Sequence, residues 1–245
     1  MGINMKKMQE RLSSLKNRGN QKNNMWKPQE GEQTIRIVPT ADGDPFRDYW
    51  FHYGVGNSPG FLSPKRNFGE EDALDAFVRS MWKENTDESI KMAKDLGAKQ
   101  RFFCPVIVRG EEAAGARVWG FSKTVYEDII RLILNPEYGD ITDVDTGIDL
   151  TITYGKKPGE TYPRTKVTPK RRSSPLAPSA EQITGVLDGV PDLDALFERK
   201  SPEQVQIILD EFLMGEDGSE DFSKETVKYS SSDSSVDKAF KELLG

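Results

Sequence analysis

Residues 148–174 read IDLTITYGKKPGETYPRTKVTPKRRSS. The first seven alternate apolar and polar, the period of a strand with one buried face. Residues 161–168 are placed to pair back on it as a hairpin arm. The segment 155–174 carries seven Lys or Arg against one Glu, with Tyr162 among them. A cationic arm borne on a sheet is the footprint expected of a polyanion binder.

Upstream the same period recurs. Residues 33–38 (QTIRIV) alternate until Pro39 stops them, and 41–45 (ADGDP) is turn chemistry. Residues 49–53 (YWFHY) predict an aromatic strand, and Ser58-Pro59-Gly60 and Ser63-Pro64 mark a loop. Two helices are expected at 70–83 and 87–96, the second closed by Gly97. Residues 102–108 (FFCPVIV) read as a strand in which Pro105 implies a bulge or an edge position. Residues 116–121 return as a second strand. Ser122 then caps a helix through Leu134, with Val125, Ile129, Ile130, Leu132 and Ile133 on its apolar side. Short strands, strong turns and one helix between strands predict an α+β chain. Its core, 25–179, is expected to be a small Greek-key barrel of OB-fold type with a helical subdomain at 61–98.

The flanks differ in composition. Residues 1–24 read as a basic arm, in which Met5, Met8, Leu12 and Leu15 form one helical stripe with Lys6, Lys7, Arg11 and Lys16 outside it. So short a helix is marginal unless it docks. Residues 180–214 read as an acidic, weakly helical segment, and 215–245 as an acidic flexible tail. At its end Val236, Phe240, Leu243 and Leu244 share one helical face, the pattern of a docking peptide.

Charge is unevenly spread. The net value is −6, yet residues 181–245 hold sixteen acids and six bases, so the first 180 residues stand at +4. Residues 1–27 and 155–174 each balance at +6. Two basic clusters beside an acidic tail favour a polyanion partner over a merely solvated surface.

Several classes drop out. No window approaches the eighteen or so apolar residues of a membrane span, and the N-terminus lacks the apolar core of a signal peptide. A soluble protein with no membrane partner is expected. Cys104 is the single cysteine, so no internal disulfide can form. His52 is the single histidine and no HExxH, GxSxG or P-loop pattern occurs, so no enzyme is expected. One Cys and one His cannot build a tetrahedral zinc site. Asp72 and Asp75 are the nearest further ligands to pair with His52, but carboxylates at helix starts are ordinary. No metal is predicted.

Binding a single strand needs rings on which bases stack, worth roughly 1–3 kcal/mol each, and cations that track the backbone. Such residues interleave at Arg47-Asp48-Tyr49-Trp50, Lys99-Gln100-Arg101-Phe102-Phe103, Arg117-Val118-Trp119 and Tyr162-Pro163-Arg164. Each pairing alone is more simply a core ring flanked by a cation. Four in one predicted sheet, beside the basic arm, make a binding face. With Phe103 and Val106 turned to the core, Phe102 presents its ring outward. The expected contacts are Arg36, Arg47, Tyr49, Lys99, Arg101, Phe102, Phe103, Trp119, Lys123, Tyr162, Arg164, Lys166, Lys170, Arg171 and Arg172.

At these residues the chain resembles the T-even phage-type single-stranded DNA-binding, or helix-destabilising, proteins. The likeness runs through Trp26-Lys27, Ile35-Arg36-Ile37-Val38-Pro39, Lys99-Gln100-Arg101-Phe102-Phe103 and Val118-Trp119-Gly120-Phe121-Ser122-Lys123, and ends in an acidic, Ser-rich tail. The resemblance implies an OB-fold core that binds single strands cooperatively and without sequence preference, in replication, recombination and repair. It implies that the N-terminal arm, with Lys6, Lys7 and Arg11, contacts the neighbouring protomer. The acidic tail would recruit replication and recombination proteins and compete with DNA. Arg36, Lys99, Arg101, Phe102, Phe103, Trp119 and Tyr162 fall where the family places groove residues. The family's basic-serine motif stands as Lys170-Arg171-Arg172-Ser173-Ser174 and is degraded in the arm to Lys6-Lys7 and Arg11-Leu12-Ser13-Ser14. The implied location is the cytoplasm of an infected bacterial host.

One departure is large. Many members hold zinc through a His and Cys cluster, whereas residues 61–83 contain no Cys here. Ser63, Asp72 and Asp75 stand about where cysteines are expected, so the zinc is not carried over and no cofactor is predicted. A protein-interaction scaffold and an RNA-binding OB protein remain the alternatives, since stacking does not distinguish sugars.

Overall fold

The computed structural model describes residues 24–216 apart from 57 and 59. The arm residues Lys6, Lys7 and Arg11 and the tail residues Val236, Phe240, Leu243 and Leu244 lie outside the described residues. The strands in chain order are β1 (Met25–Trp26), β2 (Gly31–Ile37), β3 (Arg47–His52), β4 (Phe61–Leu62), β5 (Lys99–Val108), β6 (Arg117–Phe121), β7 (Ile148–Gly155) and β8 (Arg164–Ser173). The helices are α1 (Pro64–Phe68), α2 (Ala73–Glu84), α3 (Asp87–Leu96), α4 (Lys123–Ile133), α5 (Ala180–Asp188) and α6 (Pro202–Glu216). The fold is thus mixed α+β around an open eight-stranded sheet. Two units divide the chain: residues up to Asp48 with Arg101–Leu196, and Tyr49–Gln100 with residues from Phe197 onward.

In the first unit the strand order is β1-β6-β5-β2-β7-β8, with β1–β6 parallel and the other pairs antiparallel. The alternation of β7 is realised directly. Ile148, Leu150 and Ile152 point into a core shared with Ile35 and Ile37 of β2, Cys104, Val106 and Val108 of β5, and Val125 and Ile129 of α4. Residues of β8 pair back on β7, with Ile152 opposite Val167 and Tyr154 opposite Thr165.

Pro105 departs from expectation. It sits in β5, a strand with neighbours on both sides, opposite Val118 of β6. Val118 turns its own N–H to Asn24, away from β5, so Pro105 faces β2 instead. There its carbonyl accepts from Val38, one residue past the end of β2. The missing donor therefore falls where the ladder is already ending, and neither bulge nor edge is needed.

The opposite face of this sheet is covered at one corner by Val38, Ile107, Ala116 and Leu176, with Ile183 and Val186 of α5 packed on them. The second unit has its own core of Val55, Phe61, Leu74, Val78, Ala93 and Leu96, joined by Val205 and Leu209 of α6. The expected single segment 180–214 is thereby divided between the two units.

Caps fix the helices of the second unit. Asp72 accepts from the Asp75 N–H at the start of α2, and Thr86 and Ser89 form a reciprocal capping box on α3. Ser63-Pro64, read as loop, is instead an N-cap followed by proline at the first helical position of α1.

Candidate nucleic-acid interface

β8 ends the strand order, so one of its edges is unpaired within the sheet. Thr165, Val167 and Pro169 are half-buried, whereas Arg164, Lys166, Thr168 and Lys170 are exposed. Alternate residues of a strand stand about 6.6 Å apart, so Arg164, Lys166 and Lys170 share one side of β8 with Thr168 between the last two. The register then slips: Leu150 pairs with Pro169 but Ile148 with Ser173. The extra residues in β8 form a bulge that leaves Lys170, Arg171 and Arg172 all exposed in succession. Among the described residues Lys166, Lys170, Arg171 and Arg172 have no carboxylate partner. Arg164 differs, since its Nε lies 3.1 Å from Glu160 Oε1. Tyr162, in the loop joining β7 to β8, is 74% exposed.

A buried charge cluster holds the far end of this strand. Arg36 is fully buried, and one of its terminal nitrogens donates to Gly147 O at 2.9 Å, Ser174 O at 2.6 Å and Ser174 Oγ at 2.8 Å. Its Nε is 2.9 Å from Asp149 Oδ1 as an ion pair, without the direction of a hydrogen bond. Arg109 grips the same carboxylate with two nitrogens, at 3.0 and 2.9 Å, and donates to the carbonyls of Pro175 and Leu176. Burial lowers the Arg36 pKa against the pull of Asp149. The exit of β8 is therefore pinned by two arginines on one aspartate. Gly147 makes room for this: a Cβ there would stand 2.8 Å from Arg36 Nη1.

Four expected contacts require correction. Arg36 is part of that cluster because its outward position on β2 is roofed by the 143–147 turn and Ser174, so it presents no surface. Phe102 is 6% exposed, its ring stacked on Tyr126 at 4.0 Å. Trp119 is 1% exposed, edge-on to Trp26 at 5.8 Å and tilted on Phe121 at 4.5 Å. Phe103 lies on the other face of β5 from Phe102, yet it too is buried, its ring over Gly120. Phe103 and Val106 are three apart and cannot share a strand face, which is why the outward assignment of Phe102 fails.

The remaining expected residues fall apart from one another. Arg47 is neutralised by Asp42 and Asp194, whose hydrogen bonds raise its pKa. Tyr49 is half-buried, edge-on to Phe197 at 5.4 Å. Lys99 is exposed and Arg101 half-buried on β5, and Lys123 on α4 lies 3.9 Å from Glu127. The hairpin gathers Tyr162, Arg164, Lys166, Lys170, Arg171 and Arg172. Arg109 and Asp149 were missed, although a carboxylate in the polar phase of an alternating strand is a readable signal.

In the second unit the region compared with a zinc site holds a hydrogen-bond network. His52 Nε2 is 3.2 Å from Asp72 Oδ2, its Nδ1 is 2.9 Å from Leu96 O, and Ser63 Oγ donates to the same Asp72 oxygen. Burial pushes the Asp72 carboxyl up, but the hydrogen bonds from His52 and Ser63 together outweigh it and hold it at about 2. Asp75 turns away, 3.7 Å from Arg66 and 3.4 Å from Arg79. Among the described residues no three His, Cys, Asp or Glu are grouped to hold a metal ion. The Cys104 thiol is fully buried, which raises its pKa and suppresses the thiolate. No helix among the described residues is long and apolar enough to cross a membrane. No protein-family model matches the chain, and no curated protein matches it.

Proposed function

We propose that this chain is a non-catalytic protein that binds single-stranded DNA without sequence preference, in phage replication, recombination and repair. The reading takes the sheet of the first unit as an OB-type barrel and the β7–β8 hairpin as the main contact. One observation carries it: Lys166, Lys170, Arg171 and Arg172 line an exposed strand without acidic partners among the described residues, and the loop that leads into this strand carries the open ring of Tyr162. A solvated surface rich in acids ordinarily intersperses its charges. Here those four cations share one hairpin, whose exit is anchored by Arg36, Asp149 and Arg109. Binding traps strands opened by breathing of a duplex, so mass action favours the unpaired form. Neighbouring protomers, through the basic arm, and replication proteins, through the acidic tail, complete the proposed partners.

The test is fluorescence anisotropy with labelled single-stranded DNA, single-stranded RNA and duplex DNA at several salt concentrations. Four neutralised phosphates give a log–log salt slope of about −3 on a single strand. Replacing Lys170, Arg171 and Arg172 together with Ala is expected to make that slope shallower by about 2. Tighter binding to RNA would move the reading to an RNA-binding OB protein. Failure to bind any oligonucleotide would leave the protein-interaction scaffold.

A further inference from the structure

Two aromatic rings of the second unit each carry an arginine guanidinium over the ring. The Arg66 guanidinium carbon stands 5.4 Å from the centroid of the Trp50 ring, and that of Arg199 stands 4.3 Å from the Phe68 ring. Both arginines are half exposed, at 55% and 50% of their side chains. The Trp50 backbone is fixed: its N–H donates to Asn67 Oδ1 at 2.9 Å, and its carbonyl accepts from Asn67 Nδ2 and Ser63 N, each at 2.8 Å. Trp50 thus presents a half-buried ring from a rigid mount, and Phe68 at the end of α1 is 39% exposed.

These rings differ in kind from Phe102 and Trp119. A core ring is covered by side chains whose removal opens a cavity. Trp50 and Phe68 each have a half-exposed guanidinium over the ring, held by a contact that is weak at exposed sites. Arg66 is also shared with Asp75, 3.7 Å away, which Arg79 meets at 3.4 Å. Arg199 is the more tethered, being paired with Glu70.

We propose that Trp50 with Arg66, and Phe68 with Arg199, form a second contact for unpaired nucleotides. Each ring receives a base on its face, and the displaced guanidinium meets the adjoining phosphate. The proposal rests on the single-strand reading above, and it relocates the stacking that Phe102 and Trp119 cannot provide.

Intrinsic fluorescence tests it. Trp26 and Trp119 are 7% and 1% exposed, so quenching by an unlabelled oligothymidylate must come from Trp50 or from Trp82, which is 46% exposed. In the full chain, Trp50→Phe is expected to abolish most of the quenching while anisotropy reports nearly unchanged affinity, and Trp82→Phe keeps the quenching. Trp50→Ala is expected to weaken binding ~5- to 100-fold. Arg66→Gln should make the salt slope shallower by about 0.7. Quenching that survives Trp50→Phe, or disappears with Trp82→Phe, overturns the second contact while leaving strand binding intact. Absence of anisotropy binding in the unmodified protein would instead overturn both.

Discussion

Asp72 shows how much one side chain can carry. It caps α2, accepts from Ser63 and faces His52, with no exposed side-chain surface. Its folded pKa, about 2, lies below the ordinary carboxylate range. A depressed carboxylate contributes stability that is complete above its unfolded pKa, near 4, and is lost as pH falls through the folded value. The window is therefore between about pH 4 and pH 2, and the amount is of the order of 2 kcal/mol. Asp72→Asn is expected to lower stability at neutral pH by roughly that much and to flatten the acid dependence across the window. Urea unfolding at pH 6, 4 and 2.5, followed by circular dichroism, measures both. Equal acid sensitivity in the two proteins would show that other carboxylates dominate. The same scale explains why residues of like charge met different fates. Arg36 and Lys166 both occupy polar phases of predicted strands, but only a roof decides which is solvated, and the roof over Arg36 comes from residues more than a hundred positions away.

At the scale of elements, periodicity was legible and coverage was not. β2, β7, α3 and α4 fall within a few residues of their expected bounds, because alternation and caps are local properties of the chain. The hairpin of β7 and β8 was legible for the same reason, and its cations are exposed. Phe102 was misplaced by parity, and Phe103 failed because parity tells which residues share a face, not whether both faces are covered. In β5 both are: Phe102 lies in one core and Ile107 in another. The bulge after Pro169 was also invisible, since nothing local distinguishes Lys170 to Arg172 from a continuing strand. Its position depends on the pinning of Ser174 to Leu176 by Arg36 and Arg109. Arg36→Lys tests that dependence, because an ammonium cannot span the several acceptors that the planar fork reaches. The expected outcome is a loss of about 2 kcal/mol in urea unfolding. Amide exchange should accelerate at Ser174 and Leu176, whose N–H groups donate to Gly147 and Val144. The salt slope for oligonucleotides should be unchanged, since the exposed cations remain. A slope that becomes shallower with Arg36→Lys would mean that this residue meets phosphate after all.

For the whole molecule, the distribution of acidity matters more than its total. Residues 181–214 hold eight acids and two bases, whereas 216–245 hold eight acids and four bases. More than half of the excess negative charge in the C-terminal quarter thus sits at 181–214, the stretch that includes α5 and nearly all of α6. One member, Asp194, is already committed to Arg47. The segment 216–245 is the expected tethered competitor, acting through effective concentration, and its net charge is modest at −4. Competition between exposed charges is screened over about 8 Å at physiological salt. Deleting residues 216–245 is therefore expected to tighten single-strand binding several-fold at low salt, with the gain shrinking as salt rises. Anisotropy titrations of the full and shortened chains at matched salt concentrations measure the difference. If the shortened chain binds no more tightly at any salt, competition by the acidic tail is overturned.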